Sequence, residues 1–369
     1  MSAVDTEFTP DERERARAYH RPLYLALLLD VAVASGLLAA LAWTALGRWL
    51  FSPLESLSPV AAAAAYAALV TIFSTVVRSP LAFWRGWRRE RQWGFSTQSA
   101  AAWLADRAKG LAVAIVLAAA AWAAAVGLAR ALPGWWALPA GVALALAVLV
   151  LSFVAPVVLE PIFNRFRPLE DEALAARLRG LSERAGVPAR NVLVADASRR
   201  TTKVNAYVSG IGSTRRVVLF DTLLQAADQG AVEVVVAHEL GHRRDGHVAK
   251  LTVLAMAGAA LAVAVLWATL GTRIADSRTL PEALLVLLAL ELAALAPGAA
   301  LSRRFERAAD RCSLDLTEDA AAFARAHVEL ARRNLSDLEP PRLAYLLLFS
   351  HPTPPERLAL GRAWRTTHP

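Results

Sequence analysis

Cysteine is all but missing: Cys312 is the only one in 369 residues. That excludes an intramolecular disulfide and any cysteine-based zinc site. Charge is scarce as well. Asp, Glu, Lys and Arg make up 20% of the chain while 56% is hydrophobic, whereas soluble domains carry about a quarter charged residues. So few charges exclude a disordered basic tail or a histone-like protein, despite a formal net charge of +8. Lysine occurs only at 109, 203 and 250, so the positive charge is almost entirely arginine. No basic patch with interleaved aromatics is present, and no nucleic-acid partner is expected. Internal repeats and low-complexity linkers are absent too, apart from Ala-rich apolar stretches.

What the chain has instead is long apolar runs. A bilayer core needs roughly 20 mostly apolar helical residues. Six runs qualify, at about 22–46, 59–78, 108–130, 133–160, 248–270 and 280–301. The first is read as a span and not a cleavable signal, because it is long, follows 21 polar residues and lacks a small-residue cleavage site. The fourth is long for one span, with Pro139 and Pro156 near its ends, which predicts tilt or a kink. Two acids fall inside runs, Asp30 and Glu291, and are read either as functional groups or as protonated or hydrogen-bonded carboxyls between helices.

Arginine placement predicts orientation, because cytoplasmic loops retain positive charge. Segment 1–21 holds Arg13, Arg15, Arg17 and Arg21, and loop 79–107 holds Arg85, Arg88, Arg89, Arg91 and Arg107. Loop 47–58 holds only Arg48. Six spans with both termini inside then place the polar segment 161–247 and the tail 302–369 on the cytoplasmic side of a cell membrane.

The polar segments read as a small α+β unit. Residues 169–186 have helical spacing and stop at Gly186. Three β-like runs follow, Asn191–Ala195, Val204–Val208 and Arg216–Phe220, with Gly210 and Gly212 separating the last two as in a hairpin. A few antiparallel strands are expected. Residues 222–247 turn helical and run directly into the fifth span, and 303–335 is helical up to Pro340 and Pro341. The expected architecture is a mainly α-helical integral membrane protein of about six transmembrane helices with a small α+β unit. Its expected halves are a transmembrane domain, 1–160, and a second domain, 161–369, that includes the last two spans.

The sharpest local signal is His238-Glu239-Leu240-Gly241-His242. On a helix, residues i and i+4 share a face, so both imidazoles reach one metal. Glu239 points about 100° round from His238, able to contact an attacking water without ligating. Two histidines and a glutamate base are the zincin arrangement. Catalytic zinc wants a third protein ligand and an open position. Glu306 is the best candidate, because the fifth span starts about six residues after His242 and the sixth ends about five before Glu306. Continuous antiparallel helices would bring both to one depth, roughly 8–9 Å beyond the span ends. Asp310, i+4 from Glu306, can accept the second ring N–H of a zinc histidine. His247 lies about 140° round a continuing helix, off the ligand face, and is read as structural. His20, His327 and His368 belong to no constellation and are expected at the surface. Cys312 is expected to be a small helix-packing residue.

These residues resemble the type I CAAX prenyl proteases, integral-membrane zinc metallopeptidases. The resemblance extends well beyond His-Glu-x-x-His. It includes Gly94-Phe95-Ser96-Thr97-Gln98 with Trp103, Asp106 and Lys109. Pro161-Ile162-Phe163-Asn164-Arg165-Phe166 and Pro168-Leu169-Glu170 carry it further. So do Asn205-Ala206-Tyr207 and Arg216 through Leu224. Ser302-Arg303-Arg304-Phe305-Glu306 with Ala309-Asp310, and Ser350-His351-Pro352 with Pro355 and Arg357, complete it. Roughly residues 60–360 are covered in the family's order. The chain lacks the longer insertion before His238 that eukaryotic members carry, so it resembles a shorter, bacterial-type member.

The resemblance implies further roles. Asn205 would bind the substrate backbone or the tetrahedral intermediate. His351 and Arg357 would stabilise the oxyanion or hold the peptide. The expected activity is a zinc-dependent endopeptidase, one Zn2+ per chain on His238, His242 and Glu306, with Glu239 as general base. Its expected partners are the lipid bilayer and a peptide or protein substrate, membrane-associated or prenylated. The rival expectations are a quality-control protease with no prenyl requirement, and a transporter or scaffold with a relict metal site.

Overall fold

A computed structural model describes residues 7–154, 158, 161, 164–210 and 215–368. Its first helix, α1, spans Pro10–Trp43 and begins at a reciprocal cap. Thr9 Oγ1 accepts the Glu12 N–H, and the Glu12 carboxylate accepts the Thr9 N–H. Three more long helices follow: α2 at Pro59–Phe83, α3 at Ala100–Ala131 and α4 at Ala137–Val154. Proline opens α2 at its first turn, and Ser99 caps α3 by accepting the Ala102 N–H. Two later helices, α7 at His247–Leu270 and α8 at Leu280–Thr317, complete the set. Six helices among the described residues are long and apolar enough to cross a membrane, as the sequence predicts. Their outer faces expose large apolar side chains such as Leu25, Val116, Leu138 and Val253, the surface a lipid environment requires. Pro156 lies outside the described residues.

The bundle is held by pairs: α2 packs on α3, and α4 on α7. Its buried centre gathers Phe51, Tyr66, Trp122, Trp136, Leu266 and Ile274. Both tryptophans also spend their indole N–H on the loop between α7 and α8. Trp122 donates to the Ser277 carbonyl at 3.1 Å and Trp136 to that of Gly271 at 3.2 Å. Buried indoles need such acceptors.

Asp30 is hydrogen-bonded between helices, one of the readings the sequence allows. Arg78, near the end of α2, grips it with both arms, Nε to Oδ1 at 2.9 Å and Nη2 to Oδ2 at 2.8 Å.

The polar unit is built on a four-stranded sheet of β1 (Phe166–Pro168), β2 (Asn191–Ala195), β3 (Ala206–Ser209) and β4 (Arg216–Phe220). The order is β1-β2-β4-β3. β3 and β4 pair antiparallel, as the two glycines suggest, although the turn at 211–214, including Gly212, lies outside the described residues. β2 and β4, however, run parallel. The all-antiparallel expectation is thereby corrected: β3 is a returning strand on the outer edge of β4, so β4 re-enters beside β2 in the same direction. One face of the sheet is covered by α5 (Glu172–Arg184), capped by Asp171 and burying Leu174, Leu178 and Leu181 at helical spacing.

Candidate metal centre

The sheet also supports α6, Gln229–Arg244, which carries the His-Glu-x-x-His segment. Asp228 caps it by accepting the Ala231 N–H at 2.7 Å. Its valines point two ways. Val232, Val236 and Leu240 join the core against the sheet, while Ala231 and Val234 face Phe323 and Leu314. A helix buried on both sides reads as an uninterrupted apolar run, as 231–237 does.

The helix α8 crosses α6 at very short range. A Cβ placed on Gly241 would stand 2.9 Å from Cys312 Cβ and 3.1 Å from Ala309 Cα. Only glycine allows that approach, and Cys312 is the small packing residue on the other side, fully buried. Ser313 Oγ adds a 2.8 Å hydrogen bond to the Val234 carbonyl. The contact carries Glu306, one and a half turns earlier on α8, to the two histidines.

Three donors converge there. His238 Nε2 and His242 Nε2 are 3.2 Å apart. Glu306 places Oε2 3.3 Å from the first and Oε1 3.2 Å from the second. Donors bound to a tetrahedral ion at about 2.0–2.1 Å stand roughly 3.3–3.4 Å apart. Two ring nitrogens and a carboxylate turned on one point repel unless a proton or a cation lies between them. Burial works against the His238 imidazolium, yet its hydrogen bonds to Asp310 and Glu306 outweigh that and push the pKa up to about 9. The negative surroundings that hold a proton so firmly equally favour a divalent cation. The residues present therefore fit a metal.

Each outer ring atom is also fixed. His238 Nδ1 lies 2.8 Å from Asp310 Oδ1, and His242 Nδ1 lies 3.0 Å from His247 Nδ1. His247 in turn stacks on Phe305 with centroids 4.2 Å apart. Arg357 bridges the two acids, donating from Nη2 to Glu306 at 2.7 Å and from Nη1 to Asp310 at 2.6 Å. Such partners orient ligands and set tautomers. Buried Arg303 holds the neighbouring loop by donating to the carbonyls of Tyr345 and Phe349. That loop presents His351, whose Nε2 is 3.4 Å from Glu306 Oε1. The short helix Arg342–Leu348 precedes it, and Pro354–Thr367 follows with Thr353 and Glu356 as reciprocal cap.

A cavity of about 470 Å³ opens onto the centre, lined by Asn205, His238, Glu239, His351 and Arg357 among others. Burial pushes the Glu239 carboxyl above its ordinary pKa. Asn205 stands just before the edge strand β3, with its side-chain oxygen accepting the Ala206 N–H. The Gly94–Gln98 segment braces the chain ahead of it. Ser96 bridges Thr201, Thr97 Oγ1 donates to the Ser198 carbonyl, and the Thr202 N–H bonds to that of Phe95. Lys203 then reaches back to Glu90 at 2.6 Å.

The structure thus brings together Asn205, His238, Glu239, His242, Glu306, Asp310, His351 and Arg357. It departs from the sequence reading at three histidines. His20 is not at the surface: it is half-buried, lines this cavity and meets the Leu335 carbonyl through Nε2 at 2.6 Å. His247 is not turned away, because the helix is not continuous: Gly246 sits at φ +65 and α7 starts afresh at His247. His327 is not at the surface. It is buried on α9, Ala320–Asn334, with Nε2 3.9 Å from Asp310 Oδ1. Burial, helped by the Arg357 charge, pushes its pKa down to about 3, so it is neutral.

Fold and site define the class: a metal-dependent hydrolase built into a bundle of membrane helices. Residues 168–365 match peptidase family M48, and residues 3–165 match the family described as CAAX prenyl protease N-terminal, five membrane helices. The chain belongs to peptidase family M48. It is a multi-pass integral membrane metalloendopeptidase, not a transporter or scaffold.

Among its relatives is a Bacillus subtilis protein titled uncharacterized metalloprotease YhfN. It is 30% identical over 302 residues, or 79% of this chain and 71% of the relative. CAAX prenyl protease 1 of Saccharomyces cerevisiae is also 30% identical, over 53% of this chain and 44% of its own length. The chain thus matches less than half the length of that relative. The crystal structure of S. mikatae Ste24p shares the fold, with a TM-score of 0.85 at 23% identity, covering 97% of this chain and 90% of that one.

Proposed function

We propose that this protein is a zinc endopeptidase cutting peptides that reach it from the membrane, with CAAX-type prenylated chains as its substrate class. The observation that carries the reading is the convergence of His238, His242 and Glu306 at 3.2–3.3 Å beside Glu239. The likeness to CAAX prenyl proteases supports the substrate class.

His238, His242 and Glu306 would hold the ion. Bound Zn2+ supplies Lewis acidity at the scissile carbonyl and lowers the pKa of water. Glu239 takes the proton of the attacking water and delivers it to the leaving amine, and its raised pKa suits both halves of that transfer. Asp310 and His247 fix the two imidazoles. Arg357 holds the two acids in register, which leaves His351, exposed on its loop, as the donor for the developing oxyanion. Asn205 and the outer edge of β3 bind the substrate backbone in extended form.

In this reading the chain divides near residue 160 into a transmembrane half and a catalytic half containing α7 and α8. The arginine-rich segments face the cytoplasm of the cell, and the centre opens on that side.

The experiment compares a farnesylated peptide with its unmodified twin, in wild type and in Glu239→Gln. The reading expects zinc retained and cleavage abolished in the variant, with the farnesylated peptide preferred by wild type. Equal cleavage of both peptides would replace prenyl processing with quality control of damaged membrane proteins. Near wild-type cleavage by Glu239→Gln would remove Glu239 as the base.

A further inference from the structure

Three open hollows adjoin on the bundle, and Leu348 lines all of them. The first holds the metal centre. The second, about 330 Å³, shares Ser350 with the first and Glu291 and Leu295 with the third. The third, about 520 Å³, lies between α1, α2 and α8, with Asp30, Arg78 and Glu291 set among leucines and valines. Asp30 and Arg78 neutralise one another. Glu291 faces the cavity without a hydrogen-bond or ion-pair partner among the described residues. The charges lining the cavity therefore sum to one negative, inside apolar walls that focus its field. A carboxylate at span depth is costly unless water or a cation meets it. Arg78 acts on Glu291 only through space, because Asp30 holds both arms of its guanidinium.

We propose that this cavity is a subsite for a basic side chain of the peptide substrate, read by Glu291. The inference rests on the peptidase reading and adds a substrate rule to it. Glu291 and Glu306 stand on the same unbroken helix, fifteen residues apart. At 1.5 Å per residue that is about 22 Å. An extended peptide covers this in about six or seven residues, by way of the connecting hollow. The preferred substrates carry Lys or Arg that far from the scissile bond.

The test uses the full chain in detergent and peptides bearing a single lysine, moved stepwise away from the cleavage site on either side. The readout is kcat/KM relative to the lysine-free parent. A peak of about tenfold is expected six or seven residues out on one side. Glu291→Gln abolishes it, and Glu291→Lys moves the preference to glutamate-bearing peptides. A flat profile, or a peak that survives in Glu291→Gln, overturns the proposal. The same peptides are titrated onto Glu239→Gln protein by fluorescence anisotropy. Position-dependent binding without any wild-type cleavage would sink the peptidase reading and leave the subsite standing. Cleavage without position dependence would sink the subsite alone. Neither binding nor cleavage overturns both.

Discussion

Gly241 and Cys312 touch across the crossing of two helices, so closely that a Cβ on Gly241 would fall 2.9 Å from that of Cys312. The distance between the histidine pair and Glu306 is set there. The backbone of α6 and that of α8 are pressed together by two small residues, with His242 next to Gly241, His238 three residues before it and Glu306 six residues before Cys312.

Gly241→Ala should therefore disturb the metal site without removing any ligand. Ala309 is backbone at the point of contact and cannot swing aside. Overpacking of this kind costs about 1–3 kcal/mol. The expected outcome is a lower unfolding temperature together with weaker zinc retention against a chelator. Pairing it with Cys312→Gly, which removes the opposing Cβ, should restore part of both. A Gly241→Ala protein that matches wild type in both measurements would mean that the crossing is looser than it stands here.

His247 gives a second prediction. It touches no substrate, yet it holds the outer nitrogen of His242 at 3.0 Å and rests on Phe305. His247→Ala should weaken zinc binding by about 10–100-fold, the usual effect of losing such a partner. His247→Gln, which keeps a polar group in reach, should recover part of the loss. The check is a competition titration with a zinc chelator.

The ion pair between Asp30 and Arg78 is a third. Asp30→Asn removes the charge that Arg78 grips, leaving only the more distant Glu291 opposite it. Because the Arg78 side chain is 41% exposed, the expected loss is modest, roughly 1 kcal/mol. The exchange of partners, Asp30→Arg with Arg78→Asp, should regain thermal stability relative to either single change. Additive losses in the double variant would show that the two do not depend on each other.

Much of the architecture is visible in the sequence because the strongest signals are periodic. Six apolar runs give six long helices, and His238, His242 and Asp310 follow from a four-residue spacing on a helix. Glu306 needed only the helix α8 to be continuous, which it is. His247 was hidden by a local break. Asp245-Gly246 is a helix stop, and carrying the helix through it turns His247 to the wrong side. His327 was legible in principle, since it follows Phe323 by four residues on the buried stripe of α9. A histidine is simply a poor marker of burial. The parallel pairing of β2 with β4 could not be read at all, because strand order is a tertiary choice that two short β-like runs do not encode. The partner of Asp30 was not legible because Arg78 stands at the very end of its own apolar run, where arginine is expected anyway.

The central claim is that His238, His242 and Glu306 form one metal site. Elemental analysis of zinc per chain in purified wild type and Glu306→Ala tests it most directly. The account predicts about one zinc per wild-type chain, as for a single three-ligand site, and a content well below that in Glu306→Ala. Full stoichiometric zinc in the variant would contradict it and place the third ligand elsewhere.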